Sequence, residues 1–436
     1  MADTPVPFSA SSLRPPLMPL DEAIAVLLAK AQPTLPSESV ATFDADGRVL
    51  AQDLVSGLTV PPRDNSAMDG YAVRVADCAT PGASLVVAQR IPAGTVGTPL
   101  AAGTAARIFT GAQIPEGADA VVMQEDTTAT PHEGGMGQPH EGSLGTVRIA
   151  IVPVAGQWVR RAGEDVASGD VVLKQGERLT PAALGLAASV GFHKLQVARK
   201  PRVAMLSTGD ELVMPGEVAP DAMKPGAIYN SNRFFMRALL HRLGCEVNDL
   251  GIVPDNRDAT IAALREAAET SDLIITTGGV SVGEEDHIRA ALQALGELQL
   301  WSLSMKPGKP FAHGSIARSN GQGACHVTGL PGNPVSSFLT FLMLVRPFLL
   351  TLQGVERTAP EPVALRADFN WPRADKRREF LRVRRNAAGG LDLFANQSSG
   401  VLTSMVWGDG LVDNPAGQTI QAGDVVQFIP FASLLG

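Results

Sequence analysis

The sequence predicts a multidomain α/β plus β protein, with a central α/β domain on a mostly parallel sheet and β-rich segments on both sides of it. Three observations carry that prediction. The chain has 436 residues, and at about 150 residues per domain one core is too small a unit to organise it. Between residues 201 and 353, short apolar runs alternate with helical ones, the pattern of parallel strands covered by helices on both faces. Outside that window the runs are short and β-like, broken by many of the 44 glycines and 32 prolines.

Composition excludes several function classes. A net charge of −8 argues against general binding to nucleic-acid backbones, which needs a basic surface. Aromatic residues make up only 5% of the chain, too few for rows of base-stacking rings. Cys78, Cys245 and Cys325 are far apart and show no zinc or disulfide spacing. Residues 1–16 fall in a proline-rich opening with no apolar run and read as a disordered tail. The longest apolar stretch, 338–345, meets Arg346 and Pro347 well short of the ~20 residues that span a bilayer. A cytoplasmic protein with no membrane or nucleic-acid partner is expected.

The elements follow in order. Residues 20–31 place Leu20, Ile24, Leu27 and Leu28 at helical spacing behind Asp21 and Glu22, which suit a helix N-terminus. Short strands are expected at 49–51, 85–87, 107–110, 120–123 and 171–173. Residues 127–145 are Gly-, His- and Pro-rich and repeat PHEG; His132 and His140 raise the thought of metal, but a solvated hairpin loop accounts for them better. In the central window, strands are expected at 202–206, 246–253 and 272–276, and helices at 230–243, 259–269, 284–295 and 335–350. From about Gly354 the chain returns to β runs and reads as a small terminal β domain or barrel.

Ligands of parallel sheets bind at the carboxyl ends of the strands, so the loops there carry the functional signal. STGDEL (207–212) sets Asp210 and Glu211 beside a glycine, a pair that suits Mg²⁺. TTGGVSVGEED (276–286) offers backbone N–H groups to an anion and reaches Asp286 where a helix is expected to start. MKPGKP (305–310) holds Lys306 and Lys309 on a proline-stiffened backbone, as two ammonium groups sharing an anion require. GLPGNPVS (329–336) opens a helix with free N–H groups and hydroxyls. RREFLRVRR (377–385) alternates, so Arg378, Phe380, Arg382 and Arg384 belong on one strand face, either as a solvated edge or as part of an anion site. PPRDNSAMDGYAV (61–73) is denser in polar groups than a connector requires.

These stretches, with FTGA (109–112), RRAGEDV (160–166) and IYNSN (228–232), resemble in content and order the molybdopterin molybdenumtransferase family of MoeA type, which is similar to the C-terminal domain of gephyrin. The resemblance covers about residues 17–436. It implies an elongated homodimer of four subdomains: an extended first subdomain (17–60 and 158–200), an inserted β domain (61–157), an α/β domain of the molybdopterin-binding type (201–353) and a C-terminal β barrel (354–436). The implied reaction inserts molybdenum from molybdate into adenylylated molybdopterin, with Mg²⁺-dependent release of AMP, and a molybdopterin adenylyltransferase delivers the substrate.

In family terms Lys306, Lys309, Pro310, Ser336, Arg382 and Ser399, less surely Ser398, resemble the molybdate pocket. Ser207, Thr208, Gly209, Gly278, Gly279 and Ser281 resemble the backbone cradle for the pterin and nucleotide. Asp210, Glu211, Asp255 and Asp286 look like the carboxylates around the nucleotide, pterin and Mg²⁺, with Asp210, Glu211 and Asp286 as metal ligands and Glu211, Asp255 and Asp286 as catalytic residues. Asp69, Thr110 and Asp165 resemble residues that reach the same cleft from the other subunit. One position departs: Ser302 stands where members often carry a basic residue, so compensation is expected from Lys224, Arg378 or Arg384. Two alternatives keep the fold. One is a molybdopterin adenylyltransferase, which usually has Thr-Gly where this chain has Val280 and Ser281; the other is a non-catalytic scaffold, which the intact acids and lysines oppose.

Overall fold

The computed structural model describes residues 17–32, 34–130, 144–254, 256–278, 287–321 and 323–435. The expected tail at 1–16, His132 and His140 lie outside the described residues; strands Thr127–Thr130 and Thr146–Ile149, which flank the His/Gly-rich loop, pair as a hairpin.

The first helix is Leu20–Ala29, and it buries Leu20, Ala23 and Leu27, while Ile24 and Leu28 of the expected stripe are only partly buried against the same core. Strand Ser37–Ala41 then pairs antiparallel with Lys194–Ala198, and Leu54–Val55 with Val171–Leu173, so two distant stretches of chain close on one small core. Between them lies a six-stranded sheet in the order Ala120–Met123, Gly70–Val73, Thr104–Ile108, Ala83–Ile91, Thr146–Ile149, Thr127–Thr130. Two local expectations change. The strand expected at 107–110 stops at Ile108, leaving Thr110 in the turn, and 49–51 makes only isolated bridges from Val49 and Leu50. Helix Pro181–Ser189 has no expected counterpart, because its Ala- and Leu-rich run lacks a sided pattern.

The central sheet runs Glu246–Ile252, Arg202–Ser207, Leu273–Thr277, Ala324–Leu330, Pro310–Ala317, Gly296–Ser302. The first four strands are mutually parallel and the last two add antiparallel. Helix Ser231–Arg242 starts where Asn230 accepts the N–H of Arg233, and Arg257–Thr270 where Asn256 accepts that of Ala259. The helical stretch Pro334–Leu352 runs through Arg346 and Pro347 rather than breaking there. A π turn over Phe341–Val345 precedes the proline and loosens the hydrogen-bond ladder where its missing N–H falls. This stretch is long and apolar enough to cross a membrane, but 83% of it is buried inside the protein. Arg346 leaves it to donate to the carbonyls of Thr358 and Leu434, which binds the C-terminal β domain to the helix.

In that last domain the strand Arg378–Arg385 pairs with Met305–Lys306, Gly410–Asn414 and Leu391–Leu393. It is therefore an inner strand. The reading of its arginines as a solvated edge fails for two of them: Arg382 is 1% exposed and Arg378 is ion-paired to Asp413 and Asp21, while Arg384 remains exposed and stacks over Trp407. The largest core joins the first helix, one face of the central sheet, the long helix and this β domain.

Candidate active site

A cleft of about 520 Å³ opens where the parallel strands end. Its floor is built by tight turns. Ser207 and Thr277 share a hydroxyl hydrogen bond at 3.0 Å, which ties the ends of two neighbouring strands. Gly278 follows with φ +92, and a Cβ there would stand 3.0 Å from the Thr208 carbonyl oxygen, so glycine is needed for the approach. Gly209, at φ +139, lets the Glu211 side chain fold back over the turn; Thr208 and Glu211 both line the cleft.

One wall is the start of helix Ser231–Arg242. Asn230 uses its side-chain oxygen as the cap, which turns its amide nitrogen into the protein; that nitrogen is buried and without a partner among the described residues, and Asn230 lines the cleft. An unpaired buried amide donor beside a cleft suits a ligand carbonyl or phosphate oxygen. Asn232 donates to the Gly332 carbonyl at 2.8 Å and locks this wall to the opposite one. That opposite wall is the turn before Pro334, with Asn333, Pro334 and Ser336 lining the cleft at a helix N-terminus. Tyr229, Asn230, Asn232 and Asn333 were absent from the expected site residues. The signal that finds Asn230 is its position immediately before an amphipathic run, where asparagine caps helices.

The lysine loop sits against this wall. Gly308, at φ +115, has Thr340 so close that a Cβ would lie 2.6 Å from its hydroxyl, and Pro310 lines the cleft with Ser336. The two lysines do not act alike. Lys309 is exposed and has no ion pair among the described residues, whereas Lys306 bonds Glu379 at 2.9 Å and Asp375 at 3.1 Å. The expected pair of free ammonium groups is thus one free and one neutralised. Burial pulls the Lys306 pKa down, but the two carboxylates outweigh it and raise the value. Glu379 is 1% exposed and also accepts from the Trp371 indole at 2.7 Å.

Arg382 supplies the opposite case. Its guanidinium donates to Ser404 at 3.2 Å, to the Phe380 carbonyl at 3.1 Å and to the Ser398 carbonyl at 3.4 Å, but to no carboxylate among the described residues. Burial pushes its pKa down to about 10. The neighbouring Ser399 carbonyl accepts the Val335 N–H at 3.0 Å, so the 398–399 turn links Arg382 to the helix start that bears Ser336.

The remaining residues are placed elsewhere or not described. Asp210 is exposed on the Gly209 turn. Asp255, Gly279, Ser281 and Asp286 lie outside the described residues. Asp69 accepts from the Thr110 backbone N–H at 2.8 Å and hydroxyl at 2.7 Å, which hold its carboxyl below the ordinary range. Neither lines the cleft, nor does Asp165, whose N–H donates to the Val60 carbonyl. Arg378 is paired to Asp413 and Asp21 and so is not free to replace the charge absent at Ser302, whereas Arg384 keeps its charge over the Trp407 ring. Among the described residues no three His, Cys, Asp or Glu side chains form a metal cluster. Glu211 is the one carboxylate lining the cleft among the described residues, and it fits Mg²⁺, which takes few protein ligands and completes its shell with water and substrate phosphate.

Comparison with known proteins covers almost the whole chain. Three family models match in succession: the MoeA N-terminal region (domain I and II) at 18–191, a probable molybdopterin binding domain at 204–351, and the MoeA C-terminal region (domain IV) at 364–431. The chain is 37% identical over 427 residues to a molybdopterin molybdenumtransferase of Haemophilus influenzae, covering 96% of this chain and 100% of that one. It is 34% identical to one from Nostoc, over 95% of this chain and 93% of that one. A solved structure of a molybdopterin biosynthesis MoeA protein from Pyrococcus horikoshii aligns over 95% of this chain and 99% of that one, with TM-score 0.73 and 31% identity.

Proposed function

The chain belongs to the molybdopterin molybdenumtransferase family, a family of transferases in molybdenum cofactor biosynthesis, and we propose that it inserts molybdenum from molybdate into adenylylated molybdopterin with release of AMP. The observation that carries this reading is Arg382. A guanidinium buried to 1% exposure without a carboxylate is costly, and a dianion seated beside it repays that cost. Molybdate is such a dianion.

In this reading Arg382 and Lys309 supply charge to molybdate, while Ser336, Ser399 and the rigid Pro310 shape its seat. Lys306 fixes the loop through Glu379 and leaves Lys309 as the free ammonium. Thr208 and Gly278, which line the cleft, are assigned with Ser207, Gly209, Gly279 and Ser281 to the pterin and nucleotide, and Asn230 is assigned to donate to a ligand oxygen. Glu211, with Asp210 and Asp286, would hold Mg²⁺, whose charge would offset that developing on the leaving phosphate, and Asp255 is assigned to the same set of carboxylates. Orientation comes from the two walls that Asn232 ties together, so the dithiolene sulfurs and molybdate meet in one geometry.

Asp69, Thr110 and Asp165 are proposed to act from the second subunit of a homodimer, because in a single chain they stand away from the cleft lining. The hydrogen-bonded Asp69 stays ionised and is suited to accept a donor group of the substrate. A cytoplasmic location and supply of substrate by a molybdopterin adenylyltransferase complete the proposal. The test is AMP release from adenylylated molybdopterin with Mg²⁺, in the presence and absence of molybdate.

A further inference from the structure

Cross-strand register places a block of polar side chains on a sheet face that is otherwise apolar. Gln299 stands opposite His313 and His313 opposite Thr328; one step along, Glu297 stands opposite Ser315 and Ser315 opposite His326. Alternation puts all six on one face. The next row is apolar, with Trp301 opposite Phe311, and the adjoining strand brings Leu273 and Ile275 beside His326 and Thr328. Phe348 of the long helix covers both histidines, at 6.0 Å from His313 and 5.0 Å from His326.

This block encloses a cavity of about 260 Å³, lined by Lys30, Glu297, Gln299, His313, Ser315 and His326. None of these residues lines the cleft. His313 is 2% exposed, yet both of its ring nitrogens are unpartnered, as are His326 Nδ1 and the Thr328 hydroxyl. Packing against Trp301 and Phe348 alone favours an apolar side chain, so the unpartnered ring nitrogens point to a ligand. Its charge follows from the surroundings. Lys30 stands at the mouth with its ammonium 3.4 Å from Gln299, and the one lining acid, Glu297, is exposed at the rim. Burial, His326 and Lys30 push His313 down to about 3. Burial, Lys30 and Arg318 lower His326, against the opposing pull of Asp272, which is itself paired with Arg199. A metal cation would meet Lys30; an anion would be drawn by it.

We propose that this cavity is a second binding site, for a small tetrahedral oxyanion held by Lys30, Gln299, Ser315 and the two imidazoles. The bound negative charge favours the protonated imidazoles, so binding takes up protons and tightens as pH falls.

The test uses the full-length chain carrying Lys309→Ala, titrated calorimetrically with sulfate and, separately, with molybdate, at about pH 6 and about pH 8. Both ions remain dianions across that range. One site per chain is expected, about fivefold tighter at the lower pH, and lost when Lys30→Met or His313→Phe is added. Binding of both ions marks a general oxyanion site, and binding of molybdate alone marks a reserve of the enzyme's own substrate. No binding, binding indifferent to pH, or binding that survives Lys30→Met overturns the proposal, as does a site that takes Zn²⁺ and no oxyanion. If His313→Phe fails to fold, Lys30→Met, at a half-buried helix end, carries the test alone. Because Lys30 is remote from the cleft lining, its effect is separable from any failure of the cleft reading.

Discussion

The Lys306 ammonium donates to the Glu379 carboxylate at 2.9 Å, and this contact ties the Lys-Pro-Gly-Lys loop to the strand that carries Arg382. Glu379 is held in turn by Trp371 and, at 3.4 Å, by Asn414. The pair fixes the distance between the loop and the buried guanidinium, so in the proposed reading it would act on the molybdate seat through position rather than through charge.

Glu379→Gln keeps the size of the side chain and removes its charge. The exchange leaves the Lys306 ammonium without its buried partner and is expected to cost about 1–3 kcal/mol of stability in chemical denaturation. In steady-state kinetics the KM for molybdate should rise more than kcat falls. Unchanged stability and kinetics would show that the contact holds nothing in place.

The acidic limb of the stability curve has named sources. Hydrogen bonds from Arg377 foremost, then from Lys306, hold the Asp375 carboxyl well below the usual carboxylate range against the opposing effect of burial. Arg366, followed by Asn386, holds Asp368 at about 2. A carboxyl with a lowered folded pKa contributes stability that is complete above its unfolded value and is lost as pH falls through the folded one. Stability should therefore be level near neutrality and decline from about pH 4 downward. Asp375→Asn should lower the plateau and flatten the decline, read from denaturation midpoints against pH; a parallel shift of the whole curve would contradict this.

Much of the central domain is legible in the sequence because its signals are local. The helix expected at 230–243 and found at Ser231–Arg242 is set by its own Asn230 cap and apolar stripe, and the buried strands are set by uninterrupted apolar runs. What is not legible depends on partners far along the chain. Nothing near Lys306 announces Glu379 or Asp375, which meet it only when Met305–Lys306 pairs with the strand that carries Glu379, 73 residues further along the chain. The arginine row is visible as an alternation, but whether it faces water is decided by its neighbours Gly410–Asn414 and Leu391–Leu393. His313 and His326 look unremarkable apart, because only antiparallel register brings their rings to 5.7 Å.

Gly278 tests the cleft floor. Alanine there combines a φ of +92 with a Cβ 3.0 Å from the Thr208 carbonyl oxygen, so the two strand ends must part. Gly278→Ala is expected to weaken binding of adenylylated molybdopterin by about tenfold or more, equivalent to ~1.4 kcal/mol, in equilibrium titration. Retained affinity would remove this turn from the binding floor.

The shared-site reading of the homodimer predicts complementation. Asp69→Ala and Lys309→Ala should each be inactive alone. After unfolding and refolding together, mixed dimers should carry one intact site, restoring up to about a quarter of wild-type AMP release if subunits pair at random. No recovery, with mixed dimers shown to form, would place both residues at the same subunit's site.

The most direct measurement is AMP release by the purified chain from adenylylated molybdopterin with Mg²⁺, with molybdate added or withheld, for wild type and Arg382→Met. AMP should appear only with molybdate and Mg²⁺ in the wild type, and Arg382→Met should demand far more molybdate while still binding the pterin. AMP release that ignores molybdate, or an Arg382→Met variant with unaltered molybdate dependence, would contradict the account.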